Sequence, residues 1–574
     1  MFIKTHIYKN TFRDSVYLMR LSSLVRGLHG VDGAEIIVGT DHNKKFLQAG
    51  GLWTEEIAAA DANDLIIAVR AADQEVAEAG VKRVLEELNR AADRGSQTGE
   101  YVPRTFETAI KQLPGANLAL ISLPGRYVKR EADKILDAGL HLMIFSDNVS
   151  LEDEVALKKK AVEKGLLVMG PDCGTAMISG VPLAFANEVQ RGGIGIVAAS
   201  GTGLQEVSTQ IHNLGEGVSH GIGTGGRDIK AAMGGMMMLQ GIKALQADPE
   251  TKVIVLVSKP PEPVVAERLL AAAKDCGKPV VACFMGGDPA RISVAGCIPA
   301  ATLKEAAKIA VAVLRDNNIG PAGNVPVAAE EEIEAAKRKL KSGQRYLRAL
   351  YSGGTLAYET IVILREALGV IHSNLAMEGG AVLADVYRSQ GHTVIDFGED
   401  EFTQGRLHPM IDPALRNQRL VAEAGDPGTA VILFDLVLGY GAHPDPAGET
   451  ARAVLLAREK AAAKGREIVF VASVCGTDDD FQDRSGQVAK LTGAGVTVLA
   501  SNADAAMFVR ELLRREGEMG KIAELLRQGP KVVNLGLEDF ALNLKKKGDA
   551  VIHVRWSPPA FGNEDLLSLL HKLN

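Results

Sequence analysis

Apolar and polar positions alternate in short blocks along this chain. Over residues 1–95, the runs IKTHIY, GAEIIVG and NDLIIAVRA read as strands, while SVYLMRLSSLVRGLHG and DQEVAEAGVKRVLEELNR repeat apolar residues at helical spacing. The order strand–helix–strand, then strand–helix, predicts a small α+β domain of ferredoxin-like character. The polar stretch ADRGSQTGEYVP (92–103) predicts a linker.

From residue 104 the strands become apolar throughout and each is followed by a helix. ANLALISLPG, HLMIFSDNVS and LLVMGPDCGTAM flank helices over YVKREADKILDAG and the stretch ending in VEKG, and GIGIVAASG, TKVIVLVSK and KPVVACFMG continue the pattern. Such strands belong to parallel sheets covered on both faces. The expected class is therefore α/β, with several parallel Rossmann-like or flavodoxin-like domains at 104–190, 191–320 and 345–516. A charged helix (328–343) precedes the last of these, and a βαβ-like extension (517–574) follows it.

Two of these domains read as copies of each other. IGIVAASGTGLQEV around Ser200 matches RALYSGGTLAYETI around Ser352, and DPETKVIVL at Asp248 matches DPGTAVILF at Asp426. The offsets are 352 − 200 = 152 and 426 − 248 = 178, so the second copy carries 178 − 152 = 26 more residues between these points. The segment GEDEFTQGRLHPMIDPALRN is expected to account for them. A duplicated domain implies a pseudo-twofold pairing with a site between the copies.

Composition narrows the function. With 64 basic against 71 acidic residues the formal charge is −7, and no basic stretch interleaved with aromatics occurs, which excludes a nucleic-acid footprint. No apolar run reaches bilayer length and the polar opening MFIKTHIYKNTFRD lacks a signal-peptide core, so a cytoplasmic protein away from membranes is expected. Five cysteines without a CxxC pair predict buried, reduced thiols and neither a disulfide framework nor a metal site. Sixty-one glycines against 5% aromatics fit an open α/β fold with many strand-to-helix turns.

Four such turns place Gly and Ser/Thr directly after an apolar strand: GPDCGT (170–175), ASGTG (199–203), GIGTGGRD (221–228) and YSGGT (351–355). Glycine lets backbone N–H groups approach an anion, and a hydroxyl adds a donor or an N-cap. The expected phosphate ligands are Ser200, Gly201, Thr202 and Gly203 with Ser352, Gly353, Gly354 and Thr355. Gly223, Thr224, Gly225, Gly226 and Arg227, together with Asp172 and Cys173, are candidates for the substrate. Lys259 follows strand VIVLVS, where it either meets an anion or ends the strand. Arg406, His408, Asp412 and Arg416 cluster in the 398–417 segment, and His443 follows strand AVILFDLVLG. Histidine moves protons near neutral pH and arginine holds carboxylates bidentately, so Lys259, His408 and His443 are the catalytic candidates and Arg406, Asp412 and Arg416 join the substrate set. A hydrogen-bonded loop with surface ion pairs would leave the same residues. Met233, Met236, Met237 and Met238 are expected in a core.

LISLPGRY, IFSDNVS and MGPDCGT resemble the later part of the CoA-binding domain of the succinyl-CoA synthetase α subunit, and GGIGIVAASGTGLQEV, GIGTGGRD and KPVVACFMGG resemble its ligase domain. The whole chain is more similar still to the FdrA family of acyl-CoA-synthetase-like proteins, through YKNTFRDSVYLMRLSS, GPDCGTAMISGVPLAFAN, GTGGRD, DEFTQGRLHPMIDPALRN and LGYGAHPDPAG. The resemblance implies that helix N-termini from two ligase halves hold a transferred phosphate. It also shows departures. The stretch aligned with the phosphohistidine motif is SVAGCIPAA (293–301), without histidine, and Lys259 stands where a glutamate orients that histidine. No glycine loop of the CoA-gripping kind precedes residue 104, so no cofactor is expected on this chain and CoA is disfavoured. By resemblance the expected activity is oxamate carbamoyltransferase in purine and allantoin catabolism, which converts oxalurate and phosphate to oxamate and carbamoyl phosphate. That implies a small anionic substrate, carbamoyl phosphate or phosphate, and further enzyme subunits or a homodimer; Arg227, Arg406 and Arg416 are the implied carboxylate clamps. The alternatives are an acyl-CoA synthetase subunit whose CoA and nucleotide sites lie on a partner, and a non-catalytic scaffold or regulatory subunit.

Overall fold

A computed structural model describes the chain except residues 10, 12–14, 98–102, 317–329, 378–379, 404–405, 515–521, 523–524, 527–528 and 558–574. The N-terminal strands β1 (Phe2–Tyr8), β2 (Val31–Val38) and β3 (Leu65–Ala71) form an antiparallel sheet in the order β1-β3-β2. The central strand β3, LIIAVRA, is apolar because both neighbours and the helices Ser15–Arg26 and Gln74–Gln97 enclose it. That second helix runs through the first half of the expected linker, whose residues 98–102 lie outside the described residues.

Strands β4 (Leu118–Ile121), β5 (His141–Ile144) and β6 (Val168–Met169) form a parallel sheet, with Gly125–Asp137 and Leu151–Lys164 as its crossover helices. The run LLVMGPDCGTAM, read as one strand, is two. The GPDCG turn sends Thr175 into a different sheet, because Gly170, at φ +104°, packs so tightly on the Ile144 carbonyl that no side chain would fit.

Two seven-stranded sheets complete the main body. The first has the order β13-β12-β11-β9-β10-β7-β8, built from β7 (Thr175–Ile178), β8 (Val181–Ala184), β9 (Ile194–Ala198), β10 (Val218–Gly223), β11 (Val253–Ser258), β12 (Val280–Phe284) and β13 (Ile298–Pro299). Apart from the β7–β8 hairpin and its pairing with β10, it is parallel. The second has the order β16-β15-β17-β14-β18-β19-β20 and is parallel throughout: β14 (Tyr346–Tyr351), β15 (Ile371–Ser373), β16 (Ala381–Val382), β17 (His392–Asp396), β18 (Thr429–Val437), β19 (Val469–Cys475) and β20 (Thr497–Leu499). Every residue of β9, β11 and β18 is buried, as strands covered on both faces require.

The duplication is visible in these orders, with β9 and β14 central and β11-β12-β13 answering β18-β19-β20. It also corrects the position of the additional residues. Most of them precede Asp396, in the stretch bearing β15 and β16; the first copy fills that side of its sheet with the β7–β8 hairpin instead. The helices Gly201–Asn213 and Gly354–Leu368 pack together, and one hydrophobic core runs across both copies through Ile196, Leu204, Val207, Leu347, Leu356 and Phe508. A buried polar seam crosses the same core. Glu359 accepts the Leu303 N–H at 2.7 Å and the Asn502 amide at 2.7 Å, and the Tyr351 hydroxyl donates to Asn502 at 2.9 Å. Burial pushes the Glu359 carboxyl up to about 7 and raises that of Glu206 beside it.

All five cysteines are buried and unbridged, and Met233, Met237 and Met238 lie in the core with Met236 packed at its margin. Residues 514–574 are a separate unit, in which β21 (Val532–Leu535) and β22 (Val551–Val554) pair in parallel around the helix Glu538–Lys547. Among the described residues no helix is long and apolar enough to cross a membrane.

Candidate functional site

The carboxyl ends of the parallel strands converge where the two copies meet. After β9, Ser200 caps the helix Gly201–Asn213 by accepting the Gly203 N–H at 2.9 Å; after β14, Gly353 begins the helix Gly354–Leu368. The two helix starts abut. The Ser200 and Thr355 hydroxyl oxygens are 2.6 Å apart, and a Cβ on Gly353 would stand 2.9 Å from the Thr202 methyl. The first N–H groups of each helix have no acceptor within it, and two positive dipole ends point to one place. The Thr175 hydroxyl is buried there without a hydrogen-bond partner, 3.4 Å from where a Gly201 Cβ would lie. This cradle, assembled from both copies, has the composition that suits an anion.

Asp435, the one charged residue in apolar strand β18, fixes one half of the cradle. Its carboxylate accepts the Ser352 and Gly353 N–H groups at 2.7 and 2.8 Å. Arg416 in turn donates to the Asp435 carbonyl at 2.6 Å, to the Ser352 hydroxyl at 2.8 Å and to Thr450 at 3.0 Å. Arg416 is 1% exposed, so this expected substrate clamp is a buried brace.

Asp396 ends β17 beside the cradle. It sits so close to Gly354 that a Cβ there would lie 2.3 Å from the carboxyl oxygen, and it accepts the Gly398 N–H at 2.8 Å. Burial, reinforced by Glu399, pushes its carboxyl up to about 8 against the pull of the Gly398 N–H and Lys259. Lys259 follows β11 and holds its ammonium 5.5 Å over the Tyr358 ring. His408 approaches from the other side, its ring against Phe185. Burial lowers it to about 4, and its Nδ1 accepts the Met410 N–H at 3.3 Å. The ring is therefore neutral at pH 7 with its proton on Nε2, which faces Gly398. His443 braces this segment: its N–H donates to the Met410 carbonyl at 2.7 Å and its Nδ1 accepts the Asp445 N–H at 3.0 Å.

The turn after β10 forms the adjoining wall. The Thr224 N–H donates to the Ala198 carbonyl at 2.8 Å, and Gly223 packs against Cys173 and the Thr175 carbonyl. Gly225 has φ +81°, and its Cβ would lie 2.4 Å from the Pro171 carbonyl oxygen, whereas nothing crowds Gly226. Gly225→Ala is therefore expected to lower stability by about 1–3 kcal/mol, seen as a reduced thermal midpoint, with Gly226→Ala as the milder control. Arg227 is occupied by Glu154 at 2.8 Å and the Val149 carbonyl at 3.0 Å. Beneath it, fully buried Lys158 bridges Glu154 and Asp228 at 2.8 and 3.0 Å. The Asp172 carboxyl is pushed up to about 6 by burial and by Asp147 and Glu399 against Arg227. Burial raises the Cys173 thiol to about 12, leaving it no nucleophile at neutral pH.

The structure thus brings Ser200–Gly203 and Ser352–Thr355 together, with Lys259 and His408 close to the adjoining Asp396 and Gly398. Arg227 and Arg416 are held by protein partners, and Arg406 and Asp412 face the N-terminal domain, where Asp412 lies 3.6 Å from Arg26. Asp396, Asp435 and Thr175 are not singled out by the sequence pattern. A lone aspartate inside AVILFDLV is the available signal for Asp435, since an unpaired charge does not persist in such a strand.

Family models match three stretches: CoA-ligase at 350–512, a CoA binding domain at 189–286, and the heavy metal-associated domain of AllF at 1–103. The CoA binding match spans the β9 and β10 turns. The uncharacterized protein YahF of Escherichia coli K12 is 44% identical over 516 residues, covering 89% of this chain and 99% of YahF. The chain belongs to the FdrA family. Its acyl-CoA-synthetase-like character shows in two further relatives. The ADP-forming sulfoacetate-CoA ligase subunit SauD of Bilophila wadsworthia is 30% identical over 35% of this chain and 70% of its own length. The ADP-forming succinate–CoA ligase subunit alpha 1 of Archaeoglobus fulgidus is 29% identical over 33% and 64%. This FdrA-family chain has no cysteine before Cys173, so its N-terminal domain lacks thiolate ligands for a heavy metal, and no group of His, Cys, Asp or Glu suited to a metal occurs among the described residues.

Proposed function

We propose that this chain is the subunit of an acyl-CoA ligase-type enzyme that transfers an acyl group between phosphate and coenzyme A. The observation that carries this reading is the meeting of two helix N-termini, through Ser200 and Thr355, beside Lys259 and Asp396. The stated activities of SauD and the Archaeoglobus subunit are CoA ligations, which moves this reading ahead of carbamoyl transfer.

The residues suit an acyl phosphate. Attack of a thiolate on its carbonyl forms the C–S bond, and collapse breaks the C–O bond to phosphate. The converging N–H groups and Lys259 stabilise charge on the departing phosphate. Asp396, protonated at neutral pH, donates a proton to a phosphate oxygen, and neutral His408 offers its Nε2–H to the carbonyl oxygen. His408 is not posed as a phosphoryl carrier, because its Nδ1 is an acceptor and Nε2 holds the proton. With no histidine in SVAGCIPAA either, the mixed anhydride would arrive preformed. That feature keeps carbamoyl phosphate as a second reading.

Titration calorimetry of the full chain with phosphate, acetyl phosphate, carbamoyl phosphate and CoA tests both. Phosphate affinity is expected to fall about tenfold or more in a Ser200→Ala, Thr355→Ala double variant, from the loss of two hydroxyls at an anion. The N-cap change itself is expected to cost about 1 kcal/mol of stability. CoA binding supports the ligase reading, and carbamoyl phosphate binding without CoA supports the second. Phosphate binding that ignores the double variant would sink both.

A further inference from the structure

The segment Phe397–Asp412 has two sides. One brings Gly398 and His408 together beside Asp396; the other faces the helix Ser15–Arg26 and strand β2 across a cavity of about 50 Å³. Four charges surround that cavity: Arg26 and Glu35 from the N-terminal domain, Arg406 and Asp412 from the segment. Arg26 stands 3.7 Å from Glu35 and 3.6 Å from Asp412, so both signs of charge are gathered on one rim. Phe397 and Phe402 supply an apolar wall. Glu35 keeps only 16% of its side chain exposed, so a carboxylate there gains from a donor that enters with a ligand. Two guanidinium groups on one rim match a carboxylate. At roughly 10–15 Å³ for each water-sized group, the space admits a solute of about three to five heavy atoms.

We infer that this cavity binds a small zwitterionic acid, a carboxylate bearing an ammonium or amide N–H donor, with Arg26 and Arg406 receiving the carboxylate and Glu35 and Asp412 the donor. The site is separate from the anion cradle and shares with it only the segment that carries His408.

Calorimetric titration of the full chain with glycine, and with acetate as the donor-free control, tests this. Glycine is expected to bind at millimolar concentration or below, with acetate about tenfold weaker or more. Glu35→Gln should weaken glycine by a similar factor. Ala414→Phe, at an exposed helix position lining the cavity, should abolish binding by filling the space while far-UV circular dichroism stays that of the wild type. No glycine heat, acetate equal to glycine, or glycine binding that survives Ala414→Phe overturns the inference; if Glu35→Gln does not fold, Ala414→Phe decides.

Discussion

Arg416→Met is expected to lower stability by about 3–5 kcal/mol, the cost of leaving a buried charge without its partner. The guanidinium and the Asp435 carboxylate are both buried, and burial drives each towards its neutral form, lowering Arg416 and raising Asp435 in spite of their mutual attraction. The pair is therefore not a reservoir of stability in itself. Breaking it is costly because Asp435 also holds the Ser352 and Gly353 N–H groups, which lose their anchor when the carboxylate is stranded. Urea denaturation checks the figure. The double variant Arg416→Met, Asp435→Asn should recover part of the loss, because it removes the stranded charge and keeps an acceptor for one of the N–H groups. A single-variant cost below about 1 kcal/mol would show the brace to be incidental.

Asp396→Asn is expected to reduce acyl transfer by about 10²–10⁴-fold, the usual range for a general acid. With its carboxyl held up to about 8, Asp396 keeps its proton through neutral pH, so its contribution should decline as pH rises through about 8. The same group shapes stability. Its folded pKa lies above the unfolded value near 4, so the native state binds this proton more tightly; the resulting stabilisation is complete below about pH 4 and is lost as pH climbs towards 8. Glu359, held up to about 7, acts in the same direction over a narrower window. Stability of the asparagine variant should accordingly fall less steeply between pH 5 and 8 than that of the wild type. An unchanged pH–rate profile in a variant that remains active would remove Asp396 from the chemistry.

Periodicity carried most of the architecture. Strands such as VIVLVS and AVILFDLV are buried on both faces, and continuous apolar runs have few other homes. The repeat between Ser200 and Ser352 pointed to paired copies, and the helix starts do meet. What stayed illegible depends on long-range approach. The additional residues of the second copy were expected at 398–417, although most of them lie in the stretch that bears β15 and β16, because two short strands leave little pattern to read. Arg406 and Arg416 look alike in sequence, yet one faces a cavity and the other is walled in by Asp435 and Thr450. Asp396 reads as an ordinary strand end in HTVIDFG; only its burial against Gly354, with the Glu399 carboxylate nearby, gives it an unusual proton.

The two helix starts that form the cradle belong to one covalent chain. In an enzyme that divides such halves between subunits, the complete site exists only in the associated fraction and disappears on dilution. Joining the halves replaces that bimolecular encounter by an effective local concentration of the order of millimolar or above. Mass action then has no hold on the cradle, and at cellular scarcity each copy of the chain carries it whole.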